Sequence, residues 1–251
     1  MLTAFQAPIT LLGDTLLAVG RGLRGGWRFR TDDLARVMAD ASARALLIVV
    51  VVNILVGAII AFVGAVQLVR FGAGIFVADL VAIAISREMA AVITAVVMCG
   101  RTGAAFAAEL ATMQANEEID ALNVLGLSAV DFLVLPRVMA LLFMLPLLYL
   151  FGCVGGLVGG FAVSASLLDL APVAYFDRSV AALTAAHLGL GFTKSMAFGL
   201  LVAMAACHHG LTSPRNAAGV GRATTRAVVA GIVGVIALDA VFAVCADALG
   251  I

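Results

Sequence analysis

The sequence predicts an all-α integral membrane protein, and three observations carry that prediction. Hydrophobic residues make up 64% of the 251 and charged residues only 12%, against roughly 45–50% and about 25% in an average soluble domain. Mean hydropathy is +1.17. The apolar runs are long and unalternated, which selects helices over a closed barrel, the other structure that satisfies its backbone polar groups within lipid.

The elements follow in chain order. Phe5, Ile9, Leu12, Leu16, Val19 and Leu23 recur at three- and four-residue steps, with Gln6, Asp14 and Arg21 elsewhere, which predicts a helix lying along the membrane surface. Trp27 and the arginines around it stand where interfacial anchors are expected. Five spans are predicted at about 44–68, 76–106, 134–163, 187–208 and 224–248, each long enough for the roughly 20 apolar residues that cross a bilayer. Asp169, Pro172, Tyr175, Phe176 and Asp177 mark the 164–186 connection as a short helix on the outer surface. Between the second and third spans, Met113, Ile119, Leu122 and Leu125 stand among Glu109, Glu117, Glu118 and Asp120. That pattern predicts an amphipathic helix, with Gly126 as its stop. Taken alone, it could cover the end of the bundle or dock a soluble partner, and the first is the simpler reading. The chain 1–251 reads as a single domain, with 1–43 interfacial and 44–248 forming the bundle.

Sidedness comes from charge placement, because the net charge is zero. Arg21, Arg24, Arg28, Arg30, Arg36 and Arg44 crowd the approach to the first span, and Arg215, Arg222 and Arg226 the approach to the last. Both segments are expected in the cytoplasm, which puts the N-terminus inside and the C-terminus outside. The N-terminus lacks a positive segment followed by a small-residue cleavage site, so the first span is expected to direct insertion. Cys99, Cys153, Cys207 and Cys245 sit singly in apolar runs and read as small hydrophobes.

Arg87 and Glu88 lie within the second apolar segment, Lys194 within the fourth and Asp239 within the fifth. Charge at membrane depth costs several kcal/mol, so such residues pair or face water. Lys194 is the single lysine of the chain, and Asp239 is its natural partner. A structural ion pair and a functional site both fit. Gly100, Ala104 and Ala108 form one small-residue series, and Gly103, Ala107 and Ala111 another; such spacing lets helix backbones approach, within a chain or between copies. Gly152, Gly155, Gly156, Gly159 and Gly160 make a similar ridge in the third span.

Other chemistry is excluded. His187, His208 and His209 have no partners at metal-ligand spacing, so no metal site is expected. The stretch Gly189 to Ser195 lacks the glycine that precedes the lysine of a phosphate loop and lies inside an apolar helix. No nucleophile stands with a recognisable base, and no nucleic-acid partner is expected. Energy from ATP would come from another chain.

Several runs then combine: Phe71-Gly72-Ala73, Val77 to Ala82, Arg87-Glu88, Gly100-Arg101-Thr102-Gly103-Ala104-Ala105, Ala108 to Met113, Glu117 to Leu122, Pro136-Arg137, and Gly219 to Val229. In this order, over about residues 30–245, they closely resemble the MlaE (YrbE) family of ABC transporter permeases. The resemblance implies a homodimeric permease, not an enzyme, in the inner membrane of a bacterium, moving phospholipids between inner and outer membranes. Its implied partners are a cytoplasmic ATPase that binds ATP and magnesium, a periplasmic MCE-domain ring and a small STAS-domain protein. The permease itself would hold no cofactor.

By the same resemblance, Glu109, Glu117, Glu118, Ile119, Asp120 and Leu122 belong to a coupling helix seated in the ATPase. Arg87, Glu88, Lys194 and Asp239, with Ile60, Gln67, Leu68 and Phe71 from the end of the first span, would line the lipid path between two copies. Two departures stand out. Phe62-Val63-Gly64 replaces the family's Phe-Gln-Gly, and Met89-Ala90-Ala91 replaces Leu-Gly-Pro after Arg-Glu, which predicts a softer kink. A sterol or other lipid is the alternative cargo. An intramembrane lipid-modifying enzyme with Glu88 as base is a weaker alternative, because no histidine or cysteine converges on it.

Overall fold

The computed structural model describes residues 2–25, 31–168 and 170–250, with side chains in the first helix from residue 9 to 22. Trp27, Arg28, Arg30 and Asp169, and the side chains of Phe5, Gln6, Leu23 and Arg24, lie outside the described residues. The described residues form helices α1 (Leu2–Gly25), α2 (Thr31–Leu68), α3 (Val77–Ala84), α4 (Ala90–Met98), α5 (Ala104–Ala115), α6 (Glu118–Val124), α7 (Leu135–Leu168), α8 (Pro172–Ala182), α9 (Ala185–Leu211) and α10 (Ala217–Ala248). Among the described residues, five continuous helical stretches are long and apolar enough to cross a membrane: Thr31–Phe71, Gly74–Ala115, Val130–Leu168, Ala185–Leu211 and Ala217–Ala248. They contain the five predicted spans.

The first span is longer than predicted because its helix starts early. At 1.5 Å per residue, α2 runs about 57 Å, nearly twice the roughly 30 Å of hydrocarbon. Its first turns carry Asp32, Asp33, Arg36, Asp40 and Arg44 and therefore stand outside the apolar layer. The two aspartates in the opening turn favour the helix N-terminus electrostatically.

The α2–α7 seam organises the bundle. A methyl group added at Gly57 would lie 2.0 Å from the carbonyl oxygen of Gly156, and one at Gly159 would lie 1.9 Å from that of Ile54. The glycine ridge of the third span thus packs backbone against backbone, which gives membrane helices dispersion contacts where hydrophobicity cannot drive association. Beside the seam, Asn53 is fully buried and donates from Nδ2 to the Val49 carbonyl at 2.8 Å.

Three π-helical turns interrupt the second and third spans, at Ile85–Met89, Cys99–Gly103 and Val130–Val134. The first falls at Arg87-Glu88, just before the Met89-Ala90-Ala91 that stands where the family has Leu-Gly-Pro. Such a turn leaves a backbone carbonyl without its usual partner and is a recognised cause of helix bending.

Helix α1 touches the bundle through Thr15 and Ala18, both buried, while Ile9, Leu16 and Leu17 are exposed. Its apolar face is directed away from the protein, as a helix lying in an interface requires. Arg21 anchors it to Asp131 at 2.8 Å. On the opposite side, α8 docks on α3. Arg178 grips Asp79 with two hydrogen bonds, Nε to Oδ1 at 3.1 Å and Nη2 to Oδ2 at 2.5 Å. The same guanidinium lies 4.7 Å from the Phe76 ring centroid, and Asp79 raises its pKa. Tyr175 is buried beneath the helix, and burial pushes its phenol up to about 12.

Candidate functional site

The charged residues of the apolar segments come together. Glycine at 191 sets the geometry, since a methyl group there would lie 2.3 Å from the Ser86 carbonyl oxygen and 2.4 Å from the Tyr149 hydroxyl. Helix α9 therefore approaches the π turn closely. The buried Tyr149 hydroxyl donates to the same Ser86 carbonyl at 2.7 Å, fixing the turn that carries Arg87 and Glu88. Lys194 follows Gly191 by three residues and shares its face of α9. Lys194, fully buried, donates from Nζ to Glu88 Oε2 and to Asp239 Oδ1, the latter at 2.9 Å. Arg87 Nε stands 3.8 Å from Glu88 Oε1.

Two cations and two carboxylates balance one another at membrane depth, where a lone charge would be costly. The carboxylates and Arg87 are each about a quarter exposed. One edge of the cluster is therefore open, and a guanidinium on that edge can form charge-assisted hydrogen bonds with an anionic group. The sequence pairs Lys194 with Asp239; the structure adds Glu88, a contact that sequence spacing could not supply across three helices. Tyr149 and Gly191 were also missed. The glycine-rich Gly189-Leu190-Gly191 was the available signal for a close approach.

The end of the first span stands apart from this cluster. Ile60 and Leu68 are half-buried and pack on the core, whereas Gln67 is exposed and Phe71 is 82% exposed. Among the described residues, no hydrogen bond or ion pair links them to Glu88, Lys194 or Asp239. Val63, which replaces the family's glutamine, is also exposed.

The acidic segment differs from the single helix that the sequence predicts. Helix α5 ends at Ala115, Glu117 takes a left-handed conformation at φ 61°, and α6 begins at Glu118. Left-handed backbone is strained for a residue with a side chain, and no glycine or proline marks the break. The pieces are tied to the bundle by ion pairs. Glu109 meets Arg137 at 2.9 Å, and Arg215 meets Asp120 at 2.7 Å and Glu117 at 3.7 Å. Ile119 is buried and Leu122 packs on the core, while Glu118 faces solvent and accepts from Asn116 Nδ2 at 3.0 Å. Beyond them the apolar tip is open, with Val124 86% and Leu125 73% exposed. Gly126 at φ 75° supplies the expected stop.

The two small-residue series part company. Gly103 and Ala107 are buried, and a methyl group at Gly103 would lie 3.2 Å from Val202 on α9. Gly100 is exposed, with nothing within 4 Å of the space a methyl group would fill, and Ala104 is half-buried. Of these two series, it is the one containing Gly103 that packs closely on α9.

Known proteins share this pattern. Residues 34–245 match the family described as Permease MlaE. A probable ABC transporter permease of Rickettsia conorii is 36% identical over 173 residues, 69% of this chain and 67% of that protein. A probable ABC transporter permease of Synechocystis is 36% identical over 67% of this chain and 64% of its own length. A chloroplast protein of Arabidopsis thaliana named for trigalactosyldiacylglycerol is 36% identical over 69% of this chain and 49% of its own length. With five apolar spans and matches of this extent, the chain belongs to the MlaE family of ABC transporter permeases.

Proposed function

We propose that two copies of this chain form the membrane path of an ATP-driven phospholipid transporter in a bacterial inner membrane. The observation that carries the reading is the Arg87–Glu88–Lys194–Asp239 cluster: a neutral set of four charges in an apolar setting, open along one edge. An apolar path with a guanidinium on that edge suits a molecule with acyl chains and a phosphate. The name of the chloroplast relative points to a polar lipid for that protein, which supports a lipid cargo here.

An ABC permease implies an ATPase partner. In the proposed complex the ATPase, which binds ATP and magnesium, receives α6 and the exposed Val124-Leu125 tip, while Glu109, Glu117 and Asp120 hold that segment to the bundle. The Gly100–Ala104 face, exposed at Gly100 and half-buried at Ala104, is left for contact between copies. Gln67 and Phe71, exposed in one copy, would complete the path from the end of the first span. Positive residues before the first and last spans support a cytoplasmic N-terminus and an outward C-terminus. An MCE-domain ring outside and a STAS-domain protein on the ATPase complete the assembly.

The test is reconstitution of the chain with its ATPase in vesicles carrying isotopically labelled phospholipid. ATP-dependent lipid transfer that is lost in Glu88→Gln, with the complex still assembled, supports the proposal. Transfer at the unsubstituted rate in Glu88→Gln overturns the assignment of the cluster, and ATP hydrolysis stimulated only by a sterol overturns that of the cargo.

A further inference from the structure

A second apolar recess lies between α1, α9 and α10, with a cavity of about 570 Å³, within the usual range for a ligand pocket. On α9 it is lined by Ala197, Leu201, Ala205 and His208, and on α10 by Ala230, Gly234 and Leu238. These positions recur at three- and four-residue steps and so form one stripe on each helix. From Ala197 to His208 the stripe rises about 17 Å, roughly half the hydrocarbon thickness and hence the depth of one leaflet. Its inner end lies one turn from Lys194.

At the other end His208 and His209 stand with ring centroids 5.1 Å apart, and an adjoining, mostly apolar recess is lined by Val229, Ala230 and Val233 together with His209, Thr225 and Arg226. Arg226 is exposed and makes no ion pair among the described residues, and no carboxylate lines either recess. Apolar walls one leaflet deep, ending in imidazoles and a guanidinium, complement a phospholipid's chain and phosphate.

We propose that this groove holds an acyl chain of a cytoplasmic-leaflet phospholipid, with its phosphate at His209 and Arg226. The assignment rests on the proposed sidedness and is separate from the path between copies. It gives the permease a lipid held against its outer wall, one turn below the charge cluster.

The experiment places the purified full chain in nanodiscs containing phosphatidylglycerol that bears a photoactivatable acyl chain, without ATPase or ATP. A chain that carries some other cargo would still give the result, so failure here is separable from failure of the transport proposal. The expected label falls on the 197–208 stripe of α9 and on α1 near Leu12, which also lines the recess. Filling the groove with Ala205→Trp should remove it. Arg226→Gln, a change at an exposed side chain that leaves packing intact, should lower retention of phosphatidylglycerol about fivefold. Label confined to other helices, or unchanged by both substitutions, overturns the proposal. So does a benzophenone side chain at position 205 that joins two protein copies instead of lipid.

Discussion

The charge cluster and the cytoplasmic segment both rely on carboxylates paired with basic residues, yet they use the pairs in opposite ways. Around Lys194 the cation is fully buried, its two partners come from two other helices, and Tyr149 and Gly191 hold the backbone beneath them. Around Glu109 to Asp120 the carboxylates and Arg215 are exposed, only Arg137 is largely buried, and a strained turn at Glu117 separates two helices. A buried pair is strongly destabilising when half of it is removed, whereas exposed pairs contribute about 0–1 kcal/mol. The first arrangement fixes positions within the membrane; the second holds a segment that must meet another surface.

Breaking the buried side should have the largest effect. Lys194→Met leaves Glu88 and Asp239 facing each other and should cost about 3–5 kcal/mol, seen as a large fall in the thermal unfolding temperature of the detergent-solubilised chain. The triple change Glu88→Gln, Lys194→Met, Asp239→Asn removes the charges together and should recover most of that stability while transport stays absent. Recovery of both would reduce the cluster to a structural role.

Gly191→Ala and Tyr149→Phe sharpen the comparison by leaving the charges in place. The alanine methyl has no room beside the Ser86 carbonyl, so α9 must shift, and transport should fall with no change in charge. Tyr149→Phe withdraws a buried donor and should cost about 1–3 kcal/mol, measurable in the same unfolding experiment.

The exposed side should behave differently. Arg215→Ala should change stability by no more than about 1 kcal/mol but lower ATPase stimulation, because Glu117 and Asp120 lose their shared anchor. Smallest in stability, within about 0.5 kcal/mol, should be Leu125→Asp, which should nevertheless abolish co-purification with the ATPase. A normal complex from Leu125→Asp would move the docking surface away from the α6 tip.

The spans were legible because twenty apolar residues in a row have few physical alternatives, and α8 was legible from Pro172 at its start and the aromatic residues that follow. Less could be read where tertiary contacts choose between similar local structures. A π turn at Ile85–Met89 has no composition of its own; it persists because Tyr149 takes up the Ser86 carbonyl. The break at Glu117 lacks glycine or proline and is held by Arg215, almost a hundred residues away in sequence. Arg87, Glu88, Lys194 and Asp239 announced themselves by the cost of charge in lipid, but only the folded bundle joins Glu88 to Lys194. Gly100 and Gly103 look equivalent in sequence, and helix rotation alone decides which of them meets α9.

The α2–α7 seam has a consequence for how the sequence can vary. Gly57 and Gly159 face backbone with no space for even one added carbon, so a collection of natural variants should show glycine alone at these positions. Val233, Ile236 and Val244 on α10 are exposed and should drift freely among Val, Ile, Leu and Met. The rate at which each position accepts change would then trace the seam through related sequences without any further structure.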